Sequence, residues 1–330
     1  MRSNIALQGG GSHGAFAWGV LDRLLEEPDL VVPAIVGTSA GAINAVLLAA
    51  GLAGGGPAGA KDLLRAFWTR LSEPPPGFPA WAASGLPGWP DWRGFGWMVA
   101  ETWARVLSPY QFNPLDFNPL RDLLRGLVDF SVLRAGEPKL FLCATNVMTG
   151  KLRIFDHSEI EVAHMLASAC LPTLFQAVRI GDEMFWDGGF MGNPPIFPVI
   201  YNTDCTDVMI VQINPIGIDR LPTSPQEISD RIATLSFNSS LQRELRAIHF
   251  ISRLVEDGAL DAARFKRLNV HVVEAEDVMR GLSVRSKFDT SPAMIQGLHS
   301  LGRARMESWL AAHRDTVGRR SSVDLSAAHI

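Results

Sequence analysis

A serine flanked by small residues is the first group in this sequence with the surroundings of a nucleophile. Gly37-Thr38-Ser39-Ala40-Gly41 follows an apolar, β-branched run and precedes an apolar helical pattern. Small residues two positions before and two positions after a serine allow a strained turn that exposes Oγ above a sheet. A helix that starts behind the serine places its positive end near developing negative charge. The pattern predicts a nucleophile at Ser39, with Gly37 and Gly41 as its supports.

A nucleophilic serine needs a base, and Asp187 has the surroundings of one. The stretch "MFWDGGFMGNPP" places this carboxylate after an apolar run and directly before Gly188 and Gly189, where a strand ends and a loop begins. A carboxylate within hydrogen-bond reach of a hydroxyl can accept its proton directly. Four downstream histidines lie in regular helix or strand patterns, which favours packing or surface roles for them: His249, His271, His299 and His313.

A glycine cluster near the first residue, "GGGSHG" at residues 9–14, separates a strand-like run from a helix-like one. Acyl transfer from an ester builds negative charge on the carbonyl oxygen, and each preorganised backbone N–H that binds this oxyanion contributes roughly 3–4 kcal/mol. Gly9 and Gly14 would let the backbone approach the oxygen, and the N–H groups of Gly10, Gly11 and Ser12 are the expected donors.

The order GGGSHG, GTSAG, DGG resembles the patatin-like phospholipase family, from about Ile5 to about Pro198, with the apolar stretch "SACLPTLF" before the aspartate. The resemblance implies that Ser39 is the nucleophile and Asp187 the base of a Ser-Asp dyad, and that residues 9–14 form the oxyanion loop. It implies hydrolysis of lipid acyl esters through an acyl-enzyme, without a metal or an organic cofactor.

One position departs from the family's pattern. The family usually has Arg or Lys where this chain has His13. A histidine with an unperturbed pKa of about 6.5 is mostly neutral at pH 7, so it supplies less positive charge than a fixed cation. Activity is expected to survive on the backbone donors, whereas the substitution leaves the substrate preference and the pH profile open. A direct catalytic role for His13 is a hypothesis.

Other functions fit parts of the pattern. GGGSHG also fits the dinucleotide-binding fingerprint, but the next strand ends at Val36-Gly37-Thr38-Ser39 and lacks the acidic residue that would hold a ribose. A thioesterase or an esterase for storage polyesters would need the same dyad and differ only in the pocket. A catalytically silent lipid-binding protein is the alternative from another class, and the intact motifs argue against it.

Two βα units must position these groups. Strand and helix patterns cover residues 5–8 and 14–26 and then recur as a strand ending at Val36 and a helix from Ala40 to Gly51. Such units predict a three-layer α/β/α fold with a mostly parallel sheet. If the first two strands are neighbours, both turns lie at the same edge of the sheet. Further strands are expected at residues 139–144, 153–155, 208–213 and 269–274, and further helices at 160–169, 228–255 and 291–313.

Charge and cysteine content exclude other classes. Thirty basic residues are spread among 34 acidic ones, with a net charge of -4, so no nucleic-acid footprint is present. The three cysteines lack CxxC spacing and are expected to be reduced thiols. No signal-peptide pattern is seen, and the apolar run at residues 42–53 is shorter than the ~20 residues of a membrane span. A cytoplasmic protein with optional peripheral membrane contact is expected.

The domain expectation is a single hydrolase domain over residues 1–315 and a flexible tail over 316–330. An insertion at about 52–119 is rich in proline and glycine and contains six of the nine tryptophans: Trp68, Trp81, Trp89, Trp92, Trp97 and Trp103. It is expected to be a cap over an apolar substrate or a lipid-contacting surface, with a small aromatic satellite core as the alternative. Nothing in the sequence indicates an oligomeric state.

Overall fold

One mixed sheet organises the computed structural model, which describes residues 1–73, 107–134 and 137–328. The strand order is β5-β6-β3-β2-β1-β7-β8, and β4 pairs with β3. The strands in the described residues are Asn4–Leu7 (β1), Ala34–Gly37 (β2), Lys139–Asn146 (β3), Leu152–Asp156 (β4), Val178–Ile180 (β5), Glu183–Asp187 (β6), Asp207–Val211 (β7) and Asn269–Val273 (β8).

The sheet is mostly parallel. β1, β2, β3, β7 and β8 run in one direction, whereas β4 and β6 are antiparallel to β3, and β5 is antiparallel to β6. Leu7 at the end of β1 pairs with Gly37 at the end of β2. The two glycine-bounded turns therefore leave the sheet side by side at its carboxyl edge, as the two βα units predicted.

Helices cover both faces of the sheet. In the described residues they are Gly14–Leu24 (α1), Ala40–Ser72 (α2), Pro109–Phe112 (α3), Pro119–Leu124 (α4), Phe130–Arg134 (α5), Val162–Ser168 (α6), Phe197–Asn202 (α7), Pro225–Glu256 (α8), Glu276–Met279 (α9), Pro292–His313 (α10) and Leu325–Ala328 (α11). Short 3₁₀ turns cover Gly11–His13, Gly188–Phe190, Val284–Phe288 and Arg314–Thr316.

Two hydrophobic cores confirm the three-layer α/β/α prediction. Successive strand residues point to opposite faces, so Ile5 and Leu7 pack with α1, α2 and α10, whereas Ala6 packs with α7 and α8. The first core is the larger and contains the aromatic pair Trp18 and Trp68. Apolar side chains on both faces of the parallel strands explain why these strands show no polar alternation in the sequence.

The prediction that a helix ends at Gly51 is wrong. The chain stays helical to Ser72, with one break at Gly56, which has a φ of 63° and precedes Pro57. A Cβ on Gly51 would overlap the backbone of Ala60, so the second half of α2 packs back against the first. Gly51 permits this close helix contact. The most apolar window of α2 has the length and composition of a membrane span, but 67% of it is buried inside the fold.

The second half of α2 falls within the expected insertion. Trp68 is 1% exposed in the main core, and its indole Nε1 donates to Asn44 Oδ1 at 2.9 Å. The other five tryptophans of the insertion, Trp81, Trp89, Trp92, Trp97 and Trp103, lie outside the described residues, so the cap or lipid-contacting surface stays a prediction.

The segment expected to be a flexible tail contacts the sheet in this structure. Ser322 N donates to Val270 O at 3.1 Å, and Ser321 Oγ accepts from Val270 N at 3.0 Å. Leu325 is 7% exposed and packs in the second core. The chain therefore continues along β8 beyond residue 315.

Candidate active site

Ser39 occupies the turn between β2 and α2. Its φ of 56° and ψ of -124° are unfavourable for a residue with a Cβ and store about 1–3 kcal/mol of strain. Its N–H donates to Ser168 Oγ at 3.0 Å, which fixes the turn from the end of α6. The residue is 8% exposed. Strained backbone held by surrounding contacts is the geometry of a nucleophile elbow.

Gly37 and Gly41, the predicted supports of this turn, lie at the end of β2 and at the start of α2. A Cβ on Gly37 would overlap the carbonyl oxygen of Gly41, and a Cβ on Gly41 would overlap that of Leu7. The chain therefore folds back on itself within five residues, in contact with the end of β1.

Asp187 is the last residue of β6 and lies opposite Ala144 of β3. Its N–H donates to Cys170 O at 2.7 Å, and its Oδ1 accepts from Gly189 N at 2.7 Å. The residue is 0% exposed, and its Oδ2 has no hydrogen-bond partner among the described residues. An unpartnered carboxylate oxygen inside the fold has its proton-accepting capacity free.

Burial raises the pKa of Asp187 to about 6, against three smaller effects that lower it. These are the N–H of Gly189, the hydroxyl of Ser39 and the charge of Lys287. The Ser39 hydroxyl is therefore a neighbour of this carboxyl group. A carboxylic acid with a pKa near neutrality is suited to general acid and base catalysis.

The two glycines after Asp187 form a 3₁₀ turn that packs closely on its surroundings. A Cβ on Gly188 would overlap the carbonyl oxygen of Cys143, and a Cβ on Gly189 would overlap the ring of Phe237 on α8. The sequence D-G-G thus lets the carboxylate end a strand against β3 while the chain turns beneath α8.

The glycine loop lies against the Ser39 turn. A Cβ on Gly9 would lie 2.6 Å from Ser39 Cβ and 2.6 Å from Thr38 O. Gly11 has a φ of 59°, in the left-handed region, and begins the 3₁₀ turn that leads into α1. Gly14 is the first residue of α1 and packs against Ala40. Three predicted loop residues thus have backbone or packing reasons to lack a side chain.

The predicted oxyanion donors differ in their hydrogen bonds. Gly9 N donates to Asn193 Oδ1 at 2.7 Å, so this N–H is already used within the protein. Among the described residues, the N–H groups of Gly10, Gly11 and Ser12 donate to no protein acceptor. Ser12 directs its hydroxyl to the carbonyl oxygen of Lys287 at 2.7 Å. Gly10, Gly11 and Ser12 therefore have backbone donors available for a ligand.

A network of buried side-chain amides, which no single sequence motif predicts, holds the glycine loop. Gln8 Oε1 accepts from the N–H groups of Ile213 and Asn214, both at 2.7 Å, and Gln8 Nε2 donates to Asn238 Oδ1 at 3.0 Å. Asn214 Nδ2 donates to Gly9 O at 2.7 Å. Asn193, which accepts from Gly9 N, lies in the stretch "GNPP" that follows the aspartate motif. The other amides of the network lie in no recognisable motif.

His13 is 3% exposed, and its Nε2 lies 2.8 Å from Ser286 Oγ. Burial and the nearby charge of Lys287 lower the pKa of His13 to about 3. The imidazole is therefore neutral at pH 7, as its residue type suggested. Ser286 and Lys287 belong to a 3₁₀ turn far downstream of the motifs, and no sequence pattern connects this turn with the site.

Comparison with solved structures gives distant matches. A crystal structure of VipD from Legionella pneumophila matches with 15% identity and a TM-score of 0.45, over 94% of this chain and 67% of that one. A structure of the heterodimeric ExoU-SpcU complex from the type III secretion system of Pseudomonas aeruginosa matches with 18% identity and a TM-score of 0.39, over 94% of this chain and 51% of the matched one.

Comparison with curated protein sequences finds no match. Among protein-family models, the one described as patatin-like phospholipase matches residues 5–200. That range contains the glycine loop, the Ser39 turn and Asp187, and it covers more than half of the chain. This chain belongs to the patatin-like phospholipase family.

Proposed function

We propose that this chain is a serine hydrolase that cleaves fatty acyl esters of phospholipids or related lipids. Membership of the patatin-like phospholipase family supports a lipid hydrolase activity. The arrangement of three groups in the sheet supports the more specific proposal of ester cleavage by Ser39 and Asp187. The strained Ser39 turn follows β2, the free N–H groups of Gly10 and Gly11 follow β1, and Asp187, with its unpartnered Oδ2, pairs with Ala144 near the carboxyl end of β3. These three strands are consecutive in the sheet.

In the proposed acylation step, Ser39 Oγ attacks the ester carbonyl carbon while its proton passes to the Asp187 carboxylate. The carbonyl oxygen becomes an oxyanion that the N–H groups of Gly10 and Gly11 bind. When the tetrahedral intermediate collapses, the C–O bond to the alcohol breaks and the alcohol takes the proton from Asp187. The acyl group remains bonded to Ser39 Oγ.

Deacylation would repeat these steps with water. Asp187 accepts a proton as the water oxygen attacks the acyl carbon, and the second intermediate collapses with cleavage of the bond to Ser39 Oγ. Ser39 recovers its proton from Asp187, and the fatty acid leaves. The aspartate starts and ends as a carboxylate, so one group serves as base and acid in both halves.

An apolar acyl chain suits the surroundings of this dyad. Phe190 and Met191 follow the Asp187 turn and remain partly exposed, and Phe190 packs edge-on against Phe237. Within the expected insertion, Leu115 and Phe117 are 91% and 66% exposed. These side chains support contact with lipid, and we propose peripheral membrane contact by this part of the chain.

The test is hydrolysis of p-nitrophenyl esters of graded acyl length and of phosphatidylcholine vesicles by the purified protein. We expect activity to increase with acyl length and a fluorophosphonate probe to label Ser39. Ser3→Ala is a matched control, because Ser3 is a buried serine at the opposite end of β1. Probe labelling that persisted in Ser39→Ala would contradict the assignment of the nucleophile.

Substrate class separates the remaining alternatives. Acyl-thioester hydrolysis much faster than oxygen-ester hydrolysis would favour a thioesterase, and release of hydroxy acids from polyester granules would favour a depolymerase. Vesicle binding without hydrolysis or probe labelling would favour a catalytically silent lipid-binding protein.

A further inference from the structure

A lysine from outside the family-matched range, Lys287, lies against the glycine loop. Its carbonyl oxygen accepts a hydrogen bond from Ser12 Oγ, and a Cβ on Gly11 would overlap this oxygen. The preceding residue, Ser286, pairs with His13. The 3₁₀ turn Val284–Phe288 is therefore seated directly on the loop through both backbone and side-chain contacts.

The side-chain amide of Asn214 links the ammonium of Lys287 to the glycine loop by hydrogen bonds. Lys287 Nζ donates to Asn214 Oδ1 at 2.5 Å, and Asn214 Nδ2 donates to Gly9 O at 2.7 Å. In a trans peptide the carbonyl oxygen and the N–H point in opposite directions. Fixing Gly9 O on Asn214 therefore aims the N–H of Gly10 away from Asn214, and this N–H has no protein acceptor among the described residues.

The charge of Lys287 acts on the groups that the proposed reaction uses. It lowers the pKa of Asp187, and its own pKa falls to about 8 through burial, which outweighs the attraction of Asp187 and Asp230. Residues 9–14 contain His13 as their one titratable side chain, and its pKa of about 3 keeps it neutral at pH 7. The loop thus carries no charge of its own, and Lys287 places a cation beside it.

We propose that Lys287 is a positioning residue that holds the Gly9–Gly10 peptide through Asn214 and keeps a positive charge beside the oxyanion loop and Asp187. This inference rests on the proposed acyl hydrolase function. When Ser39 gives its proton to Asp187, the carboxylate becomes neutral and the negative charge moves to the substrate oxygen. Lys287 is hydrogen-bonded into the loop through Asn214 but acts on Asp187 only through its charge, so it favours the second location of the negative charge over the first.

The test compares Lys287→Gln, which keeps a hydrogen-bonding group but removes the charge, with Lys287→Arg, which keeps the charge. We expect kcat/KM on a p-nitrophenyl ester to fall roughly tenfold to a hundredfold in Lys287→Gln, mostly through kcat, with recovery in Lys287→Arg. Lys266→Met is a matched control, because Lys266 bonds only to carbonyls of Ile200 and Thr203 in the described residues.

The pH profile separates an electrostatic role from a merely structural one. In the part of the chain that the structure describes, the charged or titratable groups that face Lys287 are Asp187 from β6, Asp230 from α8 and His13 from the glycine loop. Removal of the lysine charge raises the pKa of Asp187, so the rise of activity with pH should move upward by about one unit in Lys287→Gln. The wild-type rate should fall as the ammonium loses its proton near pH 8, and this fall should vanish in Lys287→Arg.

Several outcomes would overturn the inference. A folded Lys287→Gln variant with the wild-type kcat and pH profile would do so, and so would a lower rate with both limbs of the profile unmoved. If Lys287→Gln did not fold, an alkaline limb shared by the wild type and Lys287→Arg would overturn it. A wild-type protein without hydrolysis or probe labelling would instead overturn the proposed function, and this inference with it.

Discussion

Gly9 and Ser39 lie so close that a methyl group on Gly9 would be 2.6 Å from the Cβ of Ser39. This contact joins the two glycine-bounded turns that follow β1 and β2. It sets the distance between the expected nucleophile and the expected oxyanion donors, because both turns leave the sheet at the paired residues Leu7 and Gly37. The glycine at position 9 is thus required by a contact between turns.

Gly9→Ala should therefore displace one turn from the other. We expect about 1–3 kcal/mol of lost stability from overpacking and a roughly hundredfold loss of kcat, because the N–H of Gly10 moves with the displaced backbone. Urea unfolding and ester hydrolysis measure the two effects. Gly54→Ala is the control, since a Cβ there meets nothing within 4 Å. Equal activity in both variants would show that the close contact does not position the donors.

The strained backbone at Ser39 is expected to lower the stability of the fold while it exposes the nucleophile. Ser39→Ala should abolish turnover and keep the strain of a φ of 56°, whereas Ser39→Gly should abolish turnover and relieve the strain. After allowance for the larger entropy of an unfolded glycine, we expect Ser39→Gly to be about 1 kcal/mol more stable than Ser39→Ala. Thermal unfolding of the two inactive variants gives the comparison. A less stable glycine variant would show that the turn is not strained.

Asp187 is expected to reduce stability at neutral pH. Its folded pKa of about 6 lies above the ordinary value of 3.8, so the folded state holds the proton more tightly than the unfolded state does. This contribution to stability is complete below pH 3.8 and is lost as the pH rises to about 6, for a total of about 3 kcal/mol. Asp187→Asn should be inactive, more stable than the wild type at pH 7, and nearly equal to it at pH 4.

Asp207→Asn is the matched control for Asp187→Asn. Asp207 is a buried carboxylate at the opposite edge of the sheet, where burial opposes its ionisation but hydrogen bonds from His271, Gly318 and Asn269 lower its pKa. Its stabilising contribution is present at neutral pH and is lost as the pH falls through the depressed pKa. The control should therefore lose stability at pH 7 and retain kcat. Stabilisation by both substitutions would contradict the assigned difference between the two sites.

The sequence was sufficient for the parts of the site that depend on local chemistry. The turns around Gly11 and Ser39 need several residues without bulky side chains within a few positions. Short sequence motifs are therefore enough to predict these turns. Parallel pairing of Leu7 with Gly37 followed from two consecutive βα units. These local and topological rules were enough to place both turns at one edge of the sheet.

Contacts between distant segments could not be predicted in this way. Asn214 binds Gly9 across 205 positions and Lys287 binds Ser12 across 275, and neither residue lies in a motif. The prediction of a helix end at Gly51 was wrong for a related reason. A glycine that ends a helix and a glycine that allows a close contact with a residue such as Ala60 look the same in the sequence. Only the folded chain distinguishes them.

Asp187 rather than His13 is expected to set the acid limb of the pH–rate profile. A base must be ionised to accept the Ser39 proton, so kcat/KM should rise with pH through about 6, the pKa that burial gives Asp187. His13, with a pKa of about 3, stays neutral across this range. His13→Gln should therefore lower or preserve the rate without moving the midpoint of the acid limb. Ester hydrolysis measured between pH 4 and pH 9 gives this midpoint. A midpoint that shifts by about one unit in His13→Gln would contradict the assignment of the acid limb to Asp187 alone.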